Sequence, residues 1–159
     1  MKVAIIMGSD SDYKVVEKTE KLLQEFNVEC EVRVISAHRT PYQAEFFAKN
    51  AEDNGIEVII GAAGKAAHLP GVLAAFTALP IIGLPIKSST MDGLDSLLSI
   101  VQMPKGIPVA TVAIDGAENA ALLAVQILSV KYPELREQMK QYKKKMEEEV
   151  IAKDNSFRK

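Results

Sequence analysis

Val3-Ala4-Ile5-Ile6-Met7 is an unbroken apolar run that stops at Gly8. Apolar and polar residues do not alternate along it, so both faces of the segment belong in a core. A strand buried on both faces is the mark of a parallel sheet covered by helices. Similar runs recur at 31–35, 58–60, 81–84 and 109–114. Between them the apolar spacing is helical. Val15, Thr19, Leu22 and Phe26 recur at three and four residues, with Glu17, Lys18, Glu20 and Lys21 on the other face. Ala44, Phe47, Ala48 and Ala51 continue the pattern, and Gly55 reads as a helix stop. Segments 73–78, 94–101 and 117–130 complete the series. Strand and helix alternate along the whole chain. The prediction is an α/β domain, a doubly wound parallel sheet of about five strands between two helical layers.

After Pro133 the composition changes. Leu135, Met139, Tyr142 and Met146 form a narrow apolar seam among Glu137, Lys140, Lys143, Lys144, Lys145, Glu147, Glu148 and Glu149. This predicts an extra C-terminal amphipathic helix over 132–152, with the α/β core at 1–131 and a tail at 153–159 expected to fray. The seam fits a helix packed on its own domain, and equally one lying across a neighbouring subunit.

Composition excludes several function classes. The chain has 159 residues, 48% hydrophobic and 25% charged, which suits a single folded domain and not a disordered segment. Nineteen basic residues against 21 acidic ones leave a net charge of −2, so neither a nucleic acid nor an anionic membrane is expected as partner. Cys30 is the only cysteine, which rules out an internal disulfide or a multi-cysteine metal site. The opening apolar run is too short for a signal peptide or a spanning helix. A soluble, cytoplasmic protein acting on a small molecule is the expectation.

In an open α/β sheet, ligands sit beyond the carboxyl ends of the strands, near the point where strand order reverses. The loops there carry unusual contents. After the first run comes Gly8-Ser9-Asp10-Ser11-Asp12, with hydroxyls and free N–H groups at a helix start. Ser9 and Ser11 suit phosphate oxygens and Asp12 a sugar hydroxyl; simple helix capping explains the same residues. After the second run comes Ser36-Ala37-His38-Arg39-Thr40-Pro41. An arginine fork grips phosphate, and a histidine moves protons near neutral pH. The alternative for His38 is a polar loop residue. After the third run, Gly61 to Gly71 is dominated by small residues and contains His68, either a second functional histidine or a helix-start residue.

Several familiar sites fail the same test. Gly64-Lys65 is no P-loop, because Gly61 lies too close and Ala66 stands where Ser or Thr is required. The dinucleotide fingerprint lacks its second glycine after Gly8. Aromatic faces for a flavin are scarce, and the two histidines have no carboxylate at ligand spacing, so neither a flavin nor a metal is expected. The residues alone reach a small-molecule enzyme with a phosphate-bearing ligand and one or two proton-transfer histidines.

Gly8-Ser9-x-Ser11-Asp12, Ser36-Ala37-His38-Arg39-Thr40-Pro41, Ala67-His68-Leu69-Pro70-Gly71, Ser99-Ile100-Val101-Gln102-Met103-Pro104 and Asn119-Ala120-Ala121-Leu122-Leu123 occur in order. Together they resemble the N5-carboxyaminoimidazole ribonucleotide mutase family of purine biosynthesis, from Val3 to about Val130. The resemblance implies a flavodoxin-like fold, no cofactor, and a homo-octamer whose sites lie between subunits. It implies substrate contacts by Ser9, Ser11, Asp12, Ser36, Ala37 and Arg39, with His38 as general acid and base. The turn Gly64-Lys65-Ala66, with His68 and Leu69, would shape the pocket for the carboxylate or carbon dioxide. The implied reaction moves a carboxylate from an exocyclic nitrogen to the neighbouring imidazole carbon. Direct carboxylation of the aminoimidazole ribonucleotide, or a nucleotide-binding module without chemistry, are the alternatives.

One position departs from the family pattern, since Lys65 stands where glycine is usual. The long stretch holding Ala62, Ala63, Ala66, Ala67, Ala74 and Ala75, nearly free of charge apart from Lys65, is expected in the core or in a subunit interface.

Overall fold

The computed structural model describes residues 1–158. Five parallel strands, β1 (Lys2–Met7), β2 (Glu29–Val34), β3 (Val58–Gly64), β4 (Ile81–Ile86) and β5 (Ala110–Thr111), form one sheet in the order β2-β1-β3-β4-β5. Six helices follow or connect them: α1 (Tyr13–Glu25), α2 (Pro41–Asn50), α3 (Leu69–Ala74), α4 (Leu94–Val101), α5 (Ala117–Leu128) and α6 (Pro133–Phe157). The chain steps outward from β1 to β2 and then returns across β1 to place β3 on its other side. That reversal opens a crevice at the carboxyl ends of β1 and β3.

The apolar runs bury both of their faces. Val3, Ile5 and Met7 enter one core with α1, α5 and the start of α6, while Ala4 and Ile6 enter a second core with α2, α3 and Ile100 of α4. β3 and β4 divide in the same way. Their small residues let helices approach closely: a β-carbon on Gly83 would meet Ile100 Cγ2 at 2.3 Å, and one on Gly61 would meet Pro70 Cγ at 3.1 Å.

Several boundaries differ from the sequence expectation. β3 continues through Gly61-Ala62-Ala63-Gly64, which pair with Gly83 to Ile86 of β4, so the loop starts only at Lys65. Strand 109–114 shrinks to Ala110–Thr111 at the sheet edge; Ile114 is apolar because it packs over Gly93. α3 spans Leu69–Ala74 rather than 73–78, because Pro70 fits a first helical turn and cannot sit later. α6 stays helical to Phe157, past the expected limit at 152, with Asp154 and Arg158 paired at its end.

The seam on α6 lies on its own domain. Leu135 is 0% exposed and Met139 7%, both in the core shared with α1 and α5, and the Tyr142 ring rests 5.8 Å from Phe26. Only Met146 is left exposed. The nearly charge-free stretch divides similarly: Ala62, Ala63 and Ala67 are buried in the domain, while Ala66 and Ala75 face outward. Among the described residues, no helix is long and apolar enough to cross a membrane.

Candidate active site

The β2–α2 loop is tied at both ends by one threonine. Thr40 Oγ1 accepts from the Ser36 N–H at 3.0 Å, and the Thr40 N–H donates to the Ser36 carbonyl at 2.8 Å. The tight loop so formed projects His38 and Arg39 toward the end of β1. Arg39 Nε donates to Ser36 Oγ at 3.3 Å, and its Nη2 donates to the Gly8 carbonyl at 2.9 Å. The guanidinium is thereby aimed, with its remaining donors free for an anion.

Beyond β1, Ser9 is extended and caps the short 3-10 turn at Asp10–Asp12. Its Oγ accepts from the Ser11 N–H at 3.3 Å and from the Ser11 hydroxyl at 2.9 Å. Capping therefore holds, and the same two serines also line the crevice. Asp12 is half-buried beside them. Loss of water pushes its carboxyl above the usual carboxylate range; bonds from Ser11 and Ser9 oppose this, and the charges of Asp10 and Asp115 add to it.

The β3–α3 turn is only four residues long. Successive bonds from Ala67 N–H to the Lys65 carbonyl (2.9 Å) and from His68 N–H to the Ala66 carbonyl (2.7 Å) compress it, and Lys65 takes a left-handed backbone with φ of 57°. His68 thus stands at the start of α3 facing the β2–α2 loop. His38 Nε2 and His68 Nδ1 are 2.8 Å apart, with the rings edge to face at 78°. In this hydrogen bond one nitrogen donates and the other accepts. If His38 donates, its Nδ1 keeps a lone pair and His68 Nε2 carries a proton; if His68 donates, the roles exchange. Either tautomer leaves one N–H and one lone pair on the two outer ring nitrogens.

These segments enclose a cleft of about 640 Å³. Every residue expected to touch substrate or carry catalysis lines it: Ser9, Ser11, Asp12, Ser36, Ala37, His38, Arg39, Gly64, Lys65, Ala66, His68 and Leu69; the motif segments 99–104 and 119–123 do not. The sequence reading gave no site role to Gly8 and Ala63, close neighbours of named positions, nor to the β4 contribution of Ile86, Lys87 and Ser88. The signal was available, because Ile86-Lys87-Ser88 directly follows the fourth apolar run, where the strand-end rule points. Lys87 is fixed through its N–H to Asp115 Oδ1 (2.9 Å), and its ammonium lies 3.3 Å from Asp92.

Two other chemistries lack the parts. No three His, Cys, Asp or Glu side chains gather as a metal set among the described residues. Burial first, and then the charges of Glu20 and Glu29, push the Cys30 thiol up to about 11. A thiol held there is almost wholly protonated near neutral pH and a poor nucleophile.

Fold and cleft together define a doubly wound α/β protein with two bonded histidines, an arginine and serine hydroxyls gathered at its topological switch point. Comparison with known proteins sharpens this. The family profile described as AIR carboxylase matches residues 2–149. An N5-carboxyaminoimidazole ribonucleotide mutase of Pyrococcus abyssi is 64% identical over 145 residues, 91% of this chain and 83% of that protein. A phosphoribosylaminoimidazole carboxylase of Candida glabrata is 52% identical over 95% of this chain, which spans 26% of that longer protein. The crystal structure of Treponema denticola PurE superposes with a TM-score of 0.91 at 31% identity, covering 99% of both chains. The chain belongs to the AIR carboxylase family.

Proposed function

We propose that the chain is an isomerase of purine biosynthesis that converts N5-carboxyaminoimidazole ribonucleotide to 4-carboxy-aminoimidazole ribonucleotide, without cofactor. The observation that carries this is the bonded pair His38–His68 in one cleft with Arg39, Ser9 and Ser11. The relatives' names supply the substrate; the cleft supplies matching chemistry. Arg39, the two serine hydroxyls and the N–H groups of the first loop hold the phosphate, and Asp12 takes a ribose hydroxyl. Binding the phosphate away from the reacting atoms supplies orientation.

His38 donates a proton to the exocyclic nitrogen as its bond to the carboxyl carbon breaks, and carbon dioxide leaves with the electron pair remaining on nitrogen. The imidazole carbon then attacks the trapped carbon dioxide. His38, now a base, removes the proton from that carbon and restores the aromatic ring. The histidine ends as it began. His68 positions His38 through the 2.8 Å bond, and His38 delivers its proton as the imidazolium and takes one back as the neutral imidazole. Ala63, Ala66, Ala67 and Leu69 form the apolar wall that keeps carbon dioxide in the cleft.

A dry cleft needs a cover. His38, Arg39, Lys65 and His68 are all exposed in the single chain. Tyr42 and Phe46, on the first turns of α2 beside the His38 loop, are 83% and 67% exposed, and α4 presents Leu94, Leu98 and Val101. Apolar side chains left in water around an open site support closure by further copies of the chain, as a homo-octamer with sites between subunits. Light scattering at micromolar protein should give eight chains; a fully active monomer would overturn the shared site.

Asp12 gives a separate expectation. A carboxyl whose folded pKa is raised costs stability at neutral pH, and that cost is recovered as pH falls through its folded titration range. Asp12→Asn should therefore raise the melting temperature at pH 7 by roughly 2 °C. The gain should vanish in acid near pH 4, and substrate binding should weaken. A lower melting temperature at pH 7 would contradict the burial argument.

The Candida glabrata relative's name favours a second reading, direct carboxylation of the aminoimidazole ribonucleotide. Parallel assays decide between them. Turnover of the carboxyamino ribonucleotide supports the mutase; rapid product only from the aminoimidazole ribonucleotide plus bicarbonate would sink it.

A further inference from the structure

Three cations line the cleft: Arg39, Lys65 and Lys87. Two of them already have work within the chain. Arg39 bonds Ser36 and the Gly8 carbonyl, and Lys87 pairs with Asp92. Lys65 has no ion-pair or side-chain hydrogen-bond partner among the described residues, yet it faces the same cavity as His68, three residues on. Its flanking residues, Gly64, Ala66 and Ala67, carry no polar side chain. The turn therefore presents one ammonium and one imidazole to the cleft and no other polar side chain.

Its backbone makes the residue choice informative. Lys65 sits at φ 57°, where a β-carbon is disfavoured and glycine is at ease. A lysine at such a position puts a charge in the cleft against a local conformational cost. The remaining unmatched charge on the ligand is complementary. With the phosphate held by Arg39 and the serines, the proposed substrate brings a second anion, its transferable carboxylate.

We infer that Lys65 binds this carboxylate and is the residue by which the cleft prefers the carboxylated ribonucleotide to the bare amine. The inference rests on the mutase reading above. Lys65 acts on ground states: it holds the carboxylate before transfer and again after it, while the neutral carbon dioxide between the two steps gains nothing from it. Its loss must therefore raise KM without lowering kcat.

The test compares Lys65→Met, Lys65→Gly and Lys65→Arg with the unaltered enzyme. Two ligands are used: the carboxyamino ribonucleotide as substrate, and the aminoimidazole ribonucleotide, which shares its phosphate and ribose, as competitive inhibitor. Lys65→Met and Lys65→Gly should each raise KM about tenfold, as for a lost charged hydrogen bond. Their kcat should hold or rise, and the inhibition constant should move by less than twofold. Lys65→Arg should keep KM within threefold. Lys65→Gly should melt above Lys65→Met, because glycine relieves the left-handed backbone.

A general disturbance of the turn would weaken both ligands together. Equal weakening of both, or an unchanged KM in both Lys65→Met and Lys65→Gly, overturns the inference while the mutase reading stands. If the unaltered enzyme neither binds nor turns over the carboxyamino ribonucleotide, the mutase reading itself fails, and this inference with it.

Discussion

Replacing His38 with Asn is expected to cut turnover by about ten-thousandfold or more while substrate still binds. General acid–base groups contribute roughly a hundred- to ten-thousandfold each. His38 stands at the top of that range because one imidazole serves both half-reactions, as acid when the carbon–nitrogen bond breaks and as base when the ring carbon loses its proton. Asn reaches only as far as the imidazole Nδ1, so the 2.8 Å contact made by Nε2 is lost together with the proton carrier. Thr40 and Ser36 continue to hold that loop from its two ends. Single-turnover kinetics with bound substrate separates lost chemistry from lost affinity. Near-normal turnover would transfer the proton-carrying role to His68.

Arg39→Ala should act on affinity instead. Removing a charge-assisted fork from a phosphate costs about 1.5–3 kcal/mol, so KM should rise by roughly ten- to a hundredfold with kcat largely kept. Arg39→Lys should fall between the two, because an ammonium keeps the charge and loses the planar pair of donors. The side chain also bonds the Gly8 carbonyl, which binds the β2–α2 loop to the end of β1. Part of the loss in Arg39→Ala will therefore be loosened geometry, visible as a small fall in kcat. An unchanged KM would contradict the phosphate role.

How far this was legible in the sequence depended on which physical signal each part carries. The strands announced themselves because burial on both faces removes polar residues from runs such as Val3 to Met7. The helices announced themselves by spacing. Leu94–Val101 came out as expected because its apolar face is continuous. Edges were harder. Gly61 to Gly64 read as loop because small residues usually mark turns, whereas here they are strand, kept small so that α3 can press against the sheet at Pro70. Ile114 read as strand because apolar character does not say whether a residue pairs or packs. Leu135 and Met139 read equally as core or interface, and only three-dimensional packing settled them on their own domain. In the cleft, strand-end loops gave every expected lining residue. Lys87 and Ser88 escaped because the fourth apolar run reads as ending at Leu84 before Pro85, whereas Pro85 lies within β4 opposite Ala63 and carries the strand on to Ile86.

The wall of the cleft has a consequence for the thermodynamics of occupation. Ala63, Gly64, Ala66 and Ala67 offer backbone and methyl groups to the ligand. Such groups have no rotamers to freeze. Long side chains lose up to about 1.5–2 kcal/mol of rotational freedom each when a ligand fixes them. Here Arg39 has already surrendered most of that freedom to Ser36 and Gly8, and Lys87 part of it to Asp92. If Lys65 holds the substrate as inferred, the conformational entropy lost on binding is concentrated there, because among the described residues it is the long cationic side chain of the cleft with no partner of its own.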